Sequence, residues 1–166
     1  MAEHKLTLAM NLKNLAPSQY RAFDMDSMAA WGGRHVASNS DGFFLLGGDS
    51  DGVDGEDNPV PIDAFFETIQ TDFGSDRQKR VAMLLAGYEA SGNLAVTVSY
   101  DNQAVNADPL APRKSAQTPH AVRTPVPRRG VGCYVSVRIA NVDGADFAIN
   151  RIQAEVIFEG RRPSGS

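Results

Sequence analysis

The sequence predicts an all-β protein, an antiparallel β-sandwich of jelly-roll-like type carrying a long Pro-rich loop or arm. Three observations lead there. In the stretch from Gly130 to Glu159, Val131, Cys133, Val135, Val137 and Ile139 alternate with small or polar residues. After the pair Asp143-Gly144, Ile152, Ala154, Val156 and Phe158 alternate with Arg151, Gln153 and Glu155. Alternation with period two, rich in β-branched residues, marks strands with one buried face. Nowhere does an apolar stripe of helical period persist over several turns.

The elements follow in order. Leu6, Leu8, Met10 and Leu12 alternate with Lys5, Thr7, Asn11 and Lys13, a first strand that Asn14 to Gln19, with Pro17, is expected to break. Phe23 to Trp31 is apolar and Met-rich with mixed periodicity, and reads as a short strand entering Gly32-Gly33. Arg34 to Ser38 and Gly42 to Leu46 read as a hairpin around Asn39-Ser40-Asp41-Gly42. An acidic, glycine-rich loop spans Gly47 to Asn58. Ile62 to Thr71 and Gln78 to Ala86 read as strands joined at Asp72 to Ser75. Asn93 to Tyr100 sets Leu94, Val96, Val98 and Tyr100 on one face.

Asn102 to Pro127 differs. It holds five of the nine prolines (Pro109, Pro112, Pro119, Pro125, Pro127) and few large apolar residues. Proline cannot donate to a central ladder, so the segment is expected to be an extended loop, an arm or an irregular edge strand near its end. The expected organisation is one sandwich from 1–101 and 128–160, the Pro-rich segment at 102–127, and a disordered tail at 161–166.

The chain has 166 residues, 42% hydrophobic and 22% charged, with net charge −4. That suits a globular domain with a core of its own. No apolar run approaches the roughly 20 residues of a bilayer span, and the charge-broken N-terminus reads as no signal peptide. Residues 1–83 carry seven Lys/Arg against thirteen Asp/Glu, while residues 84–166 carry nine against seven. Such asymmetry suits association of identical subunits. Without a larger basic cluster than Arg128-Arg129 or Arg161-Arg162, specific nucleic-acid binding is not expected. The one cysteine, Cys133, falls on an apolar strand phase and reads as a small buried hydrophobe.

Motifs for chemistry are few. Asp49, Asp51 and Asp54 in the acidic loop invite a calcium reading, but the spacing fails for an EF-hand, with Val53 at its third ligand position; a solvated turn explains them better. Asn141, Asp143 and Asp146 read as turn residues and backbone caps. His4, His35 and His120 lie too far apart for a zinc motif, no nucleophile elbow occurs, and Gly47-Gly48 lacks the Lys-Ser/Thr of a phosphate loop. The chain therefore reads as non-enzymatic and without cofactor. Trp31, Tyr20, Tyr88, Tyr100 and Tyr134 are the aromatics that would stack on a sugar if exposed together.

Several phrases together resemble those of small virion structural proteins of tailed bacteriophages. They are Phe23-Asp24-Met25-Asp26-Ser27-Met28 with Gly32-Gly33, and Asp41-Gly42-Phe43-Phe44-Leu45-Leu46-Gly47-Gly48-Asp49. Pro61-Ile62-Asp63-Ala64, Thr71-Asp72-Phe73-Gly74-Ser75, Lys79-Arg80-Val81 and Gly87-Tyr88 follow. Asn141-Val142-Asp143-Gly144-Ala145-Asp146-Phe147 lies in the expected closing hairpin. The similarity runs from about Phe23 to Glu159, and the Pro-rich segment is longer than the pattern. It implies a tail-tip or baseplate component assembled in the host bacterial cytoplasm, with itself and other tail proteins as partners and no membrane. The contact residues expected on that view are Pro109, Pro112, Arg113, Pro119, Pro125 and Pro127, together with the Gly47 to Asn58 loop. Deleting Ala104 to Thr118 is expected to leave a folded monomer. The alternatives are a carbohydrate-binding module for host surface polysaccharide and a capsid decoration protein.

Overall fold

The computed structural model describes residues 7–10, 17–20, 25–48, 50–53, 55–101, 103–114 and 122–159, and every paired strand in it is antiparallel. The fold is all-β. Among the described residues no helix is long and apolar enough to cross a membrane. The chain divides into two compact units, Met1–Val60 and Pro61–Ser166. This corrects the single sandwich expected over 1–101 and 128–160. Alternation marks a strand but not the sheet it joins, and the boundary falls between Pro59 and Pro61, where proline withholds ladder donors.

In the first unit β1 (Thr7–Met10) pairs with β2 (Pro17–Tyr20). The break expected over Asn14 to Gln19 is thus partly a strand. Pro17 opens it, a position where a missing N–H is tolerated, and residues 14–16 lie outside the described ones. A three-stranded meander follows, built from β3 (Ser27–Trp31), β4 (Arg34–Asn39) and β5 (Gly42–Leu46). Gly32 and Gly33, with φ of 56° and 78°, make the two-residue turn between β3 and β4, which needs positive φ at both positions. At the next turn the Asn39 Oδ1 accepts a 2.8 Å bond from the Asp41 amide.

The second unit is the sandwich. One sheet has the order β10-β7-β12, from β10 (Val122–Pro125), β7 (Lys79–Ala90) and β12 (Phe147–Phe158). The other has the order β6-β11-β8-β9, from β6 (Phe65–Glu67), β11 (Val135–Asn141), β8 (Leu94–Tyr100) and β9 (Gln103–Asn106). Only β8 and β9 are neighbours both in sequence and in a sheet; every other step passes from one sheet to the other. Among the described residues this is the order of a jelly roll without its first strand. Val81, Leu84, Tyr88, Leu94, Val98, Val105, Val137 and Ile139 are buried between the sheets, and of these Leu94, Val98, Val137 and Ile139 hold the phases the alternation assigned.

Three expectations change. Asp143 and Gly144 do take positive φ (53° and 72°), but the strands around them do not form a hairpin: β11 pairs with β8 and β6, β12 with β7. Of Ile62 to Thr71 only Phe65–Glu67 is regular, and its neighbour is β11, to which Thr68 and Thr71 also bond. Finally, 102–127 is not one loop or arm, although β10 is an edge strand near its end, as one of the expected alternatives had it. β9 and β10 extend the two sheets, and Leu110 and Arg113 exchange backbone bonds with Leu94 and Ala90. Few apolar residues were needed, because Val105 and Leu110 sit at inward positions and are fully buried. Residues 115–121 of that segment and the expected tail at 161–166 lie outside the described residues.

Candidate functional site

The β3-β4-β5 sheet places its paired residues on common faces. One face carries Met28, Ala30, His35, Ala37, Phe44 and Leu46; the other carries Ala29, Trp31, Val36, Phe43 and Leu45, with Arg34 at one end and the hydroxyls of Ser27 and Ser38 bonded at 2.8 Å at the other. On the second face Trp31, Phe43 and Leu45 are 78%, 91% and 57% exposed. Only Ala37, on the first face, is buried. Three strands with so little covered surface are marginal alone, and an apolar face this exposed is a candidate contact site. The sequence held the signal: Phe43-Phe44-Leu45-Leu46 is apolar at every position, which is the pattern of a strand needing cover on both faces.

The acidic loop closes on itself. Asp51 N donates to Val60 O, Val60 N to Gly52 O, and Val53 bridges Pro59. Of the calcium candidates, Asp51 is exposed, while Asp49 and Asp54 lie outside the described residues. Among the described residues no three His, Cys, Asp or Glu side chains are grouped to hold a metal ion.

The expected contact residues of the Pro-rich segment are not brought together. Pro109 and Pro112 are exposed beside the bridges to β8 and β7, and Arg113 is half-buried. Pro125 and Pro127 are exposed on and just after β10, and Pro119 lies outside the described residues. The aromatics separate too. Tyr88 and Tyr100 belong to the core, where burial raises both phenols above their ordinary range. Tyr88 Oη donates to Ala111 O at 2.7 Å, and Tyr100 Oη accepts from Val81 N at 3.1 Å. Trp31 and Tyr134 are exposed; the side chain of Tyr20 is outside what is described.

Sequence reasoning missed two polar anchors of the sandwich. Lys79 is fully buried, its Nζ donating to Ser75 O at 2.7 Å and Cys133 O at 2.6 Å, with the Phe158 ring centroid 5.9 Å away. The Asp101 carboxylate accepts from Cys133 N at 2.7 Å and Tyr134 N at 2.6 Å. Cys133 itself is a buried free thiol, as its strand phase suggests. Asn141 acts as a cap: its Oδ1 accepts from Ala64 N and its Nδ2 donates to Ile62 O and Ala145 O.

No protein-family model, no curated protein and no solved structure matches this chain.

Proposed function

We propose that the protein is a non-enzymatic structural subunit of a tailed-phage virion, a tail-tip or baseplate component that oligomerises around the tail axis and contacts neighbouring tail proteins. The observation that carries this reading is the bare face of Trp31, Phe43 and Leu45. A folded subunit that keeps such a face uncovered is built to be covered by a neighbour. Two lines add support. The turn and strand phrases quoted above resemble those of phage virion proteins, and double-sheet jelly rolls recur in viral coats, an argument by analogy of fold. The virion is then the protein's location, reached after assembly in the bacterial cytoplasm.

The test replaces Trp31 and Phe43 with serine together and follows particle assembly. The variant should accumulate as folded protein yet be missing from purified particles. Incorporation at the wild-type level sinks the role given to this face; particles that never contain the wild-type protein sink the virion reading itself.

A second reading, a carbohydrate-binding module, draws on the exposure of Trp31, since aromatic faces stack on sugars. The face offers few polar groups, only Arg34, Ser27 and Ser38, to engage sugar hydroxyls. Titrating host surface polysaccharide while following Trp31 fluorescence separates the two, a saturable change favouring the module. Decoration of the capsid differs from the main reading in place alone, and labelled particles viewed by electron microscopy locate the subunit.

A further inference from the structure

Among the described residues the sandwich has four edge strands: β6, β9, β10 and β12. An edge offers unpaired N–H and C=O groups to any passing strand, and natural sheets blunt it with proline, brevity or irregularity. Three of the four edges are blunted in this way. β10 ends on Pro125 with Pro127 just beyond, β9 has four residues, and β6 has three and continues irregularly. β12 runs for twelve residues without a proline. Its long edge is the exception.

The direction of its free groups follows from one bond. Glu159 N donates to Gln78 O, so odd-numbered residues back to Arg151 turn their backbone groups toward β7. Ile152, Ala154, Val156 and Phe158 therefore direct theirs to the open side. The side chains of Arg151, Gln153 and Glu155 share the outer face, and Arg151 Nη2 already donates to Gln153 Oε1 at 2.9 Å. Along that face the order is positive, neutral, negative.

We infer that β12 pairs antiparallel with β12 of a second copy across a two-fold axis at Gln153. In that register Arg151 of each chain lies opposite Glu155 of the other, so the axis generates two opposite-charge pairs. The open groups of Ile152 meet those of Ala154. Other registers are worse: centring on Arg151 or Glu155 sets like charges opposite each other, and centring on Ile152 or Ala154 leaves both pairs unmatched. A bulge at Asn150 limits regular pairing to Arg151–Glu155. The product is one continuous sheet of order β10-β7-β12-β12-β7-β10. This contact is separate from the β3-β4-β5 face, and it stands whether or not the protein enters a virion.

Sedimentation of the full chain tests it. The wild-type protein should dimerise at about 100 μM, and Arg151→Glu or Glu155→Arg alone should weaken association by at least about tenfold, since each places two like-charge pairs across the axis. Mixing the two variants should restore a dimer. The first variant is then acidic at both positions and the second basic at both, so each cross-axis pair again joins opposite charges. Both positions are exposed, and unchanged melting of each single variant shows that folding is intact. A monomeric wild type, a dimer indifferent to either reversal, or a mixture that stays monomeric each overturns the inference.

Discussion

Lys79 carries its ammonium into the sandwich and meets backbone carbonyls there, Ser75 O and Cys133 O. Burying a cation is costly unless such bonds offset the lost water, and removing the cation orphans both acceptors. Lys79→Ala should therefore lower stability by about 3–5 kcal/mol, through two unsatisfied carbonyls and the lost packing of the stem. Lys79→Met, which keeps the stem, should lose less, and urea midpoints of the two variants separate the contributions. Neither Lys79 nor Asp101 was legible as an anchor in the sequence. Each is tied to Cys133, more than thirty positions away, and spatial pairing of that kind leaves no local trace. Asn141 was legible, since its partner Ala145 lies in the turn that its residue type favours.

At the scale of the element, strands were easier to read than their partners. Leu94, Val96, Val98 and Tyr100 are inward on β8 as their spacing requires, and Asp143-Gly144 turns with the positive φ its residues suit. What alternation cannot tell is whether the next strand returns beside the last or crosses to the facing sheet. Here it crosses: β11 pairs with β8 over its whole length, and β12 runs along the equally long β7. β9 was hidden for another reason: one inward valine in four residues is no period at all. The consequence is testable. Deleting Ala104 to Thr118 removes Val105 and Leu110, buried in the core, so the variant should unfold rather than persist as a folded monomer. Loss of its cooperative melt by circular dichroism is the expected result. The proposed contact surface was half legible. The mixed periodicity of Phe23 to Trp31 comes from β3 having apolar residues on both faces, a pattern that also announces the need for cover.

For the molecule as a whole, the all-β class was legible and the division into two units was not, since nothing in strand period distinguishes one core from two. The second unit holds both buried phenols, Tyr88 and Tyr100, and this gives its stability an alkaline limit. Burial is the first cause of each raised pKa, and Arg113 near Tyr88 and the Val81 amide at Tyr100 only partly oppose it. Above pH about 10 the unfolded chain loses these protons while the folded one keeps them, so the native state binds more protons and stability falls as pH rises. Below that pH both states hold them and the effect vanishes. The slope should reach at most about 2.7 kcal/mol per pH unit with both groups titrating. Melts from pH 8 to 11 should show the decline starting near 10, and Tyr88→Phe should reduce it.

The partnership of β12 with β7 also bears on how the protein is made. Phe147 meets Ala90 and Phe158 meets Lys79, residues 57 and 79 positions earlier. On the ribosome β7 emerges long before β12 exists, and its side toward the missing strand waits through the synthesis of the strands between. Contacts so distant along the chain slow folding and prolong the lifetime of sticky nascent states. Chaperone demand during translation, rather than fragility once complete, is the hazard this topology brings.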